Sequence, residues 1–218
     1  MLDVRSPRPV QKAAVARMLL GERDLLNQFL YMYVGTGKTL AVCLFLMKIN
    51  RFSSIVWALP DTAIESLANE ICDKIGWRVV VLVHNEQKKT PTKKEWNGIT
   101  KKGSVVERVV CNEAFTVPRG FVCLVGHDTL RLFERKGATK VVDILSAQMT
   151  GVALVMDEVH KCMAKGTQRT QNALRLARLA SVTVALTGTP MLEKSLAPLV
   201  PWLQLIVPFP IVSSNIWV

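Results

Sequence analysis

Six short apolar runs, rich in β-branched residues, recur along the chain: FLYMYV (29–34), SIVWAL (54–59), RVVVLV (78–83), FVCLVG (121–126), GVALVM (151–156) and SVTVAL (181–186). Each predicts a buried strand. Between several of them the apolar spacing becomes helical. TAIESLANEICDKI (62–75) puts Ile64, Leu67, Ala68, Ile71 and Ile75 on one face, and Thr62 with Glu65 has the spacing of a capping box. KTLAVCLFLMKI (38–49) is apolar nearly all round, which predicts a buried helix. Strand, helix, strand repetition implies right-handed crossovers and an α/β domain. Its central sheet should be mainly parallel, with ligands at the carboxyl ends of the strands.

One region breaks the rhythm. From Asn85 to Gly120 the chain reads as polar and irregular, with Lys88, Lys89, Lys93, Lys94, Lys101 and Lys102 concentrated in its first half. A charge run of this kind is either a solvated surface loop or a loop that tracks backbone phosphate, with Trp96 available to stack. There is no internal repeat and no low-complexity tail.

A length of 218 residues suits one domain with a full core and is short for two ordinary α/β domains. Half the residues are apolar, in keeping with strands buried on both faces. Lys and Arg number 28 against 17 Asp and Glu, a formal charge of +11, which favours a polyanionic partner such as nucleic acid over a small neutral substrate. The five cysteines include no C-x-x-C pair, so neither a zinc site nor a disulfide framework is indicated, and a reducing compartment is expected. The opening MLDVRSPRPVQK lacks the apolar core of a signal peptide. LAPLVPWLQLIVPFPIV (196–212) carries four prolines and makes a poor membrane helix. The expectation is an intracellular chain, nuclear, cytoplasmic or virus-associated, not secreted and without a membrane partner.

Candidate chemistry lies at three strand ends. In YMYVGTGKT (31–39), Gly35, Thr36 and Gly37 form a tight turn after a strand, Lys38 supplies charge and Thr39 a hydroxyl, just before a buried helix. Such a loop points backbone N–H groups and a helix amino terminus at phosphates, while Lys reaches the β and γ groups and Thr holds Mg2+. Met32 stands where the pattern asks for a small residue. In ALVMDEVHK (153–161) an apolar strand ends in two acids. Asp157 can hold hydrated Mg2+ there, Glu158 can polarise an attacking water, and His160 can sense the γ-phosphate. In ALTGTPM (185–191), Thr187 and Thr189 flank a rigid turn and can bridge neighbouring groups, although such a turn alone says little.

In this order the three motifs make the chain resemble the first RecA-like lobe of superfamily 2 helicases, and within them the SWI/SNF-type translocases on double-stranded DNA. The resemblance covers roughly residues 8 to 205. RPVQ (8–11) is similar to that group's Arg-Pro-x-Gln, which implies adenine recognition by Gln11. VWALPDTAIESLANEI (56–71) is similar to its strand, Pro and helix, and LVGHDTLRLF (124–133) to its Thr-Ser-Tyr-Glu-Thr-Leu-Arg segment. The latter implies nucleic-acid backbone contacts by Thr129 and Arg131, with Lys93 and Lys94 adding phosphate contacts from the lysine-rich loop. The fold implied is a three-layer RecA-like P-loop NTPase domain over residues 1–207, with an insertion near 85–120 and an apolar tail or hinge at 208–218.

The departures are specific. MYVGTGKT lacks the acid and Met of the remodellers' DEMGLGKT, and MLEKSL lacks their Gln-Asn. Both weaken chromatin remodelling proper more than ATP hydrolysis, and suit a divergent viral or mobile-element translocase. Nothing in the chain resembles the second lobe, which in this family supplies arginine fingers, so weak hydrolysis is expected without that lobe in cis or in trans. The leading expectation is an ATP- and Mg2+-dependent double-stranded-DNA translocase. A strand-separating DNA or RNA helicase and a nucleotide-gated binding module without catalysis are the alternatives.

Overall fold

Along β2 (Ser54–Leu59) every residue is buried, yet alternate side chains go to opposite layers. Ile55, Trp57 and Leu59 pack with one group of helices, Val56 and Ala58 with another. This is the period of two that an all-apolar strand conceals in sequence and displays only in packing. The computed structural model describes residues 6–22, 27–33, 35–84, 96–131, 140–162 and 166–188. The remaining strands are β1 (Asn27–Tyr31), β3 (Arg78–Val83), β4 (Glu107–Val110), β5 (Phe121–Gly126), β6 (Val152–Met156) and β7 (Val182–Thr187). They form one seven-stranded sheet in the order β1-β7-β6-β2-β5-β3-β4, and every pairing is parallel.

The helices are α1 (Pro9–Glu22), α2 (Lys38–Ile49), α3 (Ile64–Glu70), α4 (His127–Arg131), α5 (Val141–Ser146) and α6 (Gln168–Leu179). The first three pack on one face of the sheet through Met18, Phe45, Leu46 and Leu67. The last three pack on the other through Leu130, Leu145 and Leu176. The result is three layers, α/β/α. Each fully buried Val, Leu or Ile contributes roughly 1.5–3 kcal/mol, so the two apolar seams outweigh the propensity of any single helix end. No helix among the described residues is long and apolar enough to cross a membrane.

Several expectations need correction. The capping box at Thr62 and Glu65 does not form. The chain leaves Pro60 through a 3-10 turn (Asp61–Ala63), whose backbone bond from Ala63 N–H to Pro60 O (2.8 Å) does the capping, and no side chain caps this turn or α3. The same helix closes in a π turn (Ile71–Ile75) before Gly76. β1 stops at Tyr31 instead of residue 34, although Met32 N–H still bonds Thr187 O at 3.3 Å. α2 is buried on one side only, with Met47 44% exposed. The region read as irregular contains β4, which adds an edge strand to β3 and is followed by buried Cys111, Phe115 and Val117. Trp96 packs against the core and donates to the Ile99 carbonyl at 2.7 Å, so it is not a free stacking platform.

Candidate active site

In an all-parallel sheet every strand delivers its carboxyl end to the same rim. β1, β7 and β6 are adjacent, so the turns that follow them meet although they are far apart in the chain. After β1, Gly35 and Gly37 adopt φ of 78° and 86°, the left-handed region that glycine enters without a Cβ clash. Gly37 forms the N-cap of α2. A side chain there would overlap Nε2 of Gln11. Thr36 closes the loop by donating its hydroxyl to the Tyr33 carbonyl at 2.6 Å. Thr39 follows as the second residue of α2, half-buried.

Gln11 is 5% exposed and ties α1 to this loop. Its Nε2 donates to the Thr36 carbonyl at 3.1 Å, and its Oε1 accepts from Arg8 N–H at 2.8 Å. Beside it opens a cavity of about 580 Å³ whose lining includes Arg8, Gln11, Gly35, Thr36, Gly37 and Glu70. Lys102 reaches the same cavity because Asp73 holds its turn. Asp73 Oδ1 accepts from Thr100 Oγ1 at 2.6 Å, and Asp73 Oδ2 from Lys102 N–H at 3.1 Å.

Lys38 Nζ donates to the Met32 carbonyl at 3.5 Å and lies 3.8 Å from Glu158 Oε1. The Met32 side chain is 6% exposed and belongs to the core. Its bulk is thus accommodated on the apolar side, and the loop uses only its backbone oxygen. That answers why a large residue fits this position of the pattern.

After β6, Asp157 N–H continues the ladder to Ala58 O at 2.8 Å, and its carboxylate accepts Glu158 N–H at 2.8 Å. Burial pushes the Asp157 carboxyl up to about 6. The neighbouring Glu158 charge adds to the rise, and the bond from Glu158 N–H and the Lys38 charge oppose it. Glu158 has φ of 48°, a strained setting for a residue with a side chain. Its Oε1 faces Lys38, and its Oε2 lies 3.2 Å from His160 Nδ1 and 3.5 Å from Gly188 N–H. His160 Nδ1 is also 2.9 Å from Thr187 Oγ1, at the end of β7. Burial lowers the His160 pKa and outweighs the opposing pull of the Glu158 charge, with the Lys161 and Lys38 charges adding to the fall.

The rim thus gathers Gln11, Gly35, Thr36, Gly37, Lys38, Thr39, Asp157, Glu158, His160 and Thr187 around three neighbouring strands. Thr129 lies apart, half-buried on α4 beyond β5. Arg131 ends that helix, with its side chain outside the described part. Lys93, Lys94 and Thr189 lie outside the described residues. Sequence reasoning missed Asp61, whose Oδ2 accepts Asp128 N–H at 3.3 Å. Its carboxylate occupies the space a side chain at Gly126 would need. The only sequence signal for it was its place after Pro60 at a strand end.

Fold and rim define the chain as a RecA-like α/β lobe with a glycine-rich loop ahead of a helix. It belongs to the DEAD/DEAH box helicase family, whose model matches residues 8–196. Membership makes it a helicase-type ATPase domain, a class that binds nucleotide and typically a divalent metal. No curated protein matches the chain in sequence. Among solved structures it is similar to the Sulfolobus solfataricus SWI2/SNF2 ATPase core in complex with dsDNA. That match has a TM-score of 0.57 at 17% identity, over 94% of this chain and 36% of the other. It is also similar to a nuclease-deletion mutant of the Type ISP restriction-modification enzyme LlaGI in complex with a DNA substrate mimic. There the TM-score is 0.56 at 10% identity, over 87% of this chain and 18% of the other. These likenesses concern the fold, and the chain spans well under half of either relative.

Proposed function

We propose that residues 1–207 are the nucleotide-binding motor lobe of a nucleic-acid-dependent ATPase, most closely a translocase on double-stranded DNA. The observation that carries the reading is the meeting of Lys38, Glu158, His160 and Thr187 at one rim, beside a glycine-rich loop and a cavity. The donor set fits a magnesium nucleotide. Gly35 and Gly37 bring no Cβ to two of the loop's positions, and a cation beside Asp157 would offset the cost of its buried charge. When bound, ATP with Mg2+ supplies the phosphoanhydride bond and the charge that neutralises its oxygens.

The chain's own residues then divide the work. Gln11 sits where it can read a base at the cavity, while Lys38 and the N–H groups of Gly35 and Gly37 hold phosphate. Thr36, whose N–H and hydroxyl both bond the Tyr33 carbonyl, keeps the loop in shape around it. Thr39 and Asp157 would hold the metal. Glu158 takes a proton from water at a carboxylate oxygen. His160 keeps that carboxylate oriented and, with Thr187 and Thr189, passes its position to the end of β7. Thr129, Arg131, Lys93 and Lys94 would contact backbone phosphate, so binding should be salt-dependent and nearly blind to sequence. The double-stranded-DNA preference draws support from the SWI2/SNF2 core solved on such DNA and from the formal charge of +11. A second RecA-like lobe, in cis or in trans, would complete the site, with 208–218 as tail or hinge.

The test is Mg2+-dependent ATP turnover with duplex DNA, single strands or RNA, with and without a second lobe supplied. Turnover stimulated by duplex without strand separation is the expected result. Strand separation would instead make the protein a helicase. Nucleotide binding without turnover under every condition would make it a gated binding module.

A further inference from the structure

α4 carries Thr129 and lies two strands along the rim from Glu158, because β2 stands between β6 and β5. One side chain spans that gap. Arg169, in the first turn of α6, donates Nη1 to the Lys161 carbonyl at 3.3 Å and Nη2 to Asp128 Oδ1 at 2.8 Å. Lys161 belongs to the 3-10 turn (Val159–Cys162) after the acids, and its N–H bonds the Glu158 carbonyl at 3.0 Å. Asp128 belongs to α4 and is the residue before Thr129. The Glu158 backbone carbonyl, the Lys161 backbone, the Arg169 guanidinium and the Asp128 carboxylate are therefore linked in sequence, by hydrogen bonds and the Lys161 main chain, from the segment that carries the acid to the helix.

The platform beneath Arg169 is rigid. Thr167 caps α6 by accepting Thr170 N–H at 3.3 Å, and Asn172, one turn on, donates to the Leu130 carbonyl at 2.8 Å. Asn172 and the buried Leu130 and Leu176 already dock α4 against α6. The Arg169–Asp128 pair is therefore spare as a docking element. The Asp128 side chain is 57% exposed and that of Arg169 25%, so an ion pair this open adds little to stability. What the fork does is join two segments that come from different strands and fix their separation. Arginine can do this because its two terminal nitrogens are held a fixed distance apart in one plane; an ammonium's donors all leave a single nitrogen and set no such separation.

We propose that Arg169 is a positioning residue that couples nucleotide at the rim to nucleic acid at α4. A shift of Glu158 when nucleotide binds moves the Lys161 peptide, and the guanidinium carries that shift to Asp128 and Thr129. The coupling is reciprocal, so duplex bound at α4 changes nucleotide affinity by the same factor that nucleotide changes duplex affinity. This inference rests on the function proposed above.

The experiment measures affinity for a non-hydrolysable ATP analogue with and without duplex DNA, and for duplex with and without the analogue, at low salt. Wild type is expected to show a coupling factor of at least about fivefold, equal in both directions. Arg169→Ala, Arg169→Lys and Asp128→Ala should each leave the two separate affinities within about twofold and bring the factor to about one. Arg169→Lys keeps the charge and loses the fork, so retained coupling in that variant, or in Asp128→Ala, overturns the proposal. Should Arg169→Ala melt well below wild type, Asp128→Ala, at an open position, decides the question. Wild type that binds both ligands without coupling overturns this inference and leaves the proposed function standing. Wild type that binds no nucleotide removes both.

Discussion

His160 Nδ1 stands 2.9 Å from the Thr187 hydroxyl and 3.2 Å from Glu158 Oε2, so one ring nitrogen touches both the end of β7 and the acid after β6. Thr187 is fully buried and has no access to solvent for a substitute partner. Thr187→Val keeps the shape and removes the hydroxyl. With the proposed roles, nucleotide affinity should hold while turnover falls about tenfold or more, because His160, which orients the Glu158 carboxylate, loses the hydroxyl that fixes its ring. Steady-state kinetics beside an equilibrium binding titration separates the two quantities.

Lys38 and Glu158 are 3.8 Å apart, yet their loss should read differently. Lys38→Ala removes the only charge the loop itself offers to phosphate and should abolish measurable nucleotide binding. Glu158→Gln should keep binding and lower turnover about 10²–10⁴-fold, the usual contribution of a positioned base. Equal turnover in wild type and Glu158→Gln would take the base role away from this residue.

Gly37 combines a φ of 86° with contact to Gln11 Nε2. Gly37→Ala places a Cβ in left-handed backbone, at a cost of about 1–2 kcal/mol, and also displaces the Gln11 amide. Thermal melting should show the loss of stability, and nucleotide titration a larger loss of affinity. Gly103, also left-handed at φ 85° but with open space around it, is the control in which only the backbone cost appears.

His127 is 2% exposed, and burial brings its pKa down to about 4, with the Arg169 and Lys161 charges adding to the fall. The Ala58 carbonyl and Asp128 pull the other way. Above pH 6.5 the ring is neutral in both folded and unfolded chains. As pH falls from 6.5 to about 4, only the unfolded chain takes the proton, so stability is lost, by up to about 3 kcal/mol. Asp157, raised to about 6, acts in the opposite direction over much of the same window. The measurement is therefore a difference: denaturant unfolding of wild type and His127→Phe across that range, where the variant should gain on wild type as the pH drops.

Five of the seven strands were legible to within a residue because a strand buried on both faces must be apolar throughout. SIVWAL, RVVVLV and FVCLVG match their elements end to end. β4 was not legible. It is four residues long, begins with Glu107 and Arg108, and is an edge strand that no buried run betrays. The capping box failed for a related reason: Thr62 and Glu65 have the right spacing, but Pro60 and a tight backbone turn had already satisfied that helix start. At the candidate site each motif could be read because it ends a strand, and Met32 looked wrong only because its side chain and its carbonyl face different surroundings.

By itself the sequence determined the layers and the rim. Continuous apolar strands require cover on both faces, and crossover connections require that parallel strands end together. Only the tertiary structure decided which ends are neighbours. Nothing in the order of the chain dictates that β7 inserts between β1 and β6, yet that insertion brings Thr187 to His160 and Glu158 to Lys38. Strand order is set by how the helices on the two faces pack against one another. Contacts such as Arg169 to Lys161 and Asp128 arise from that packing between segments with no local signal in common.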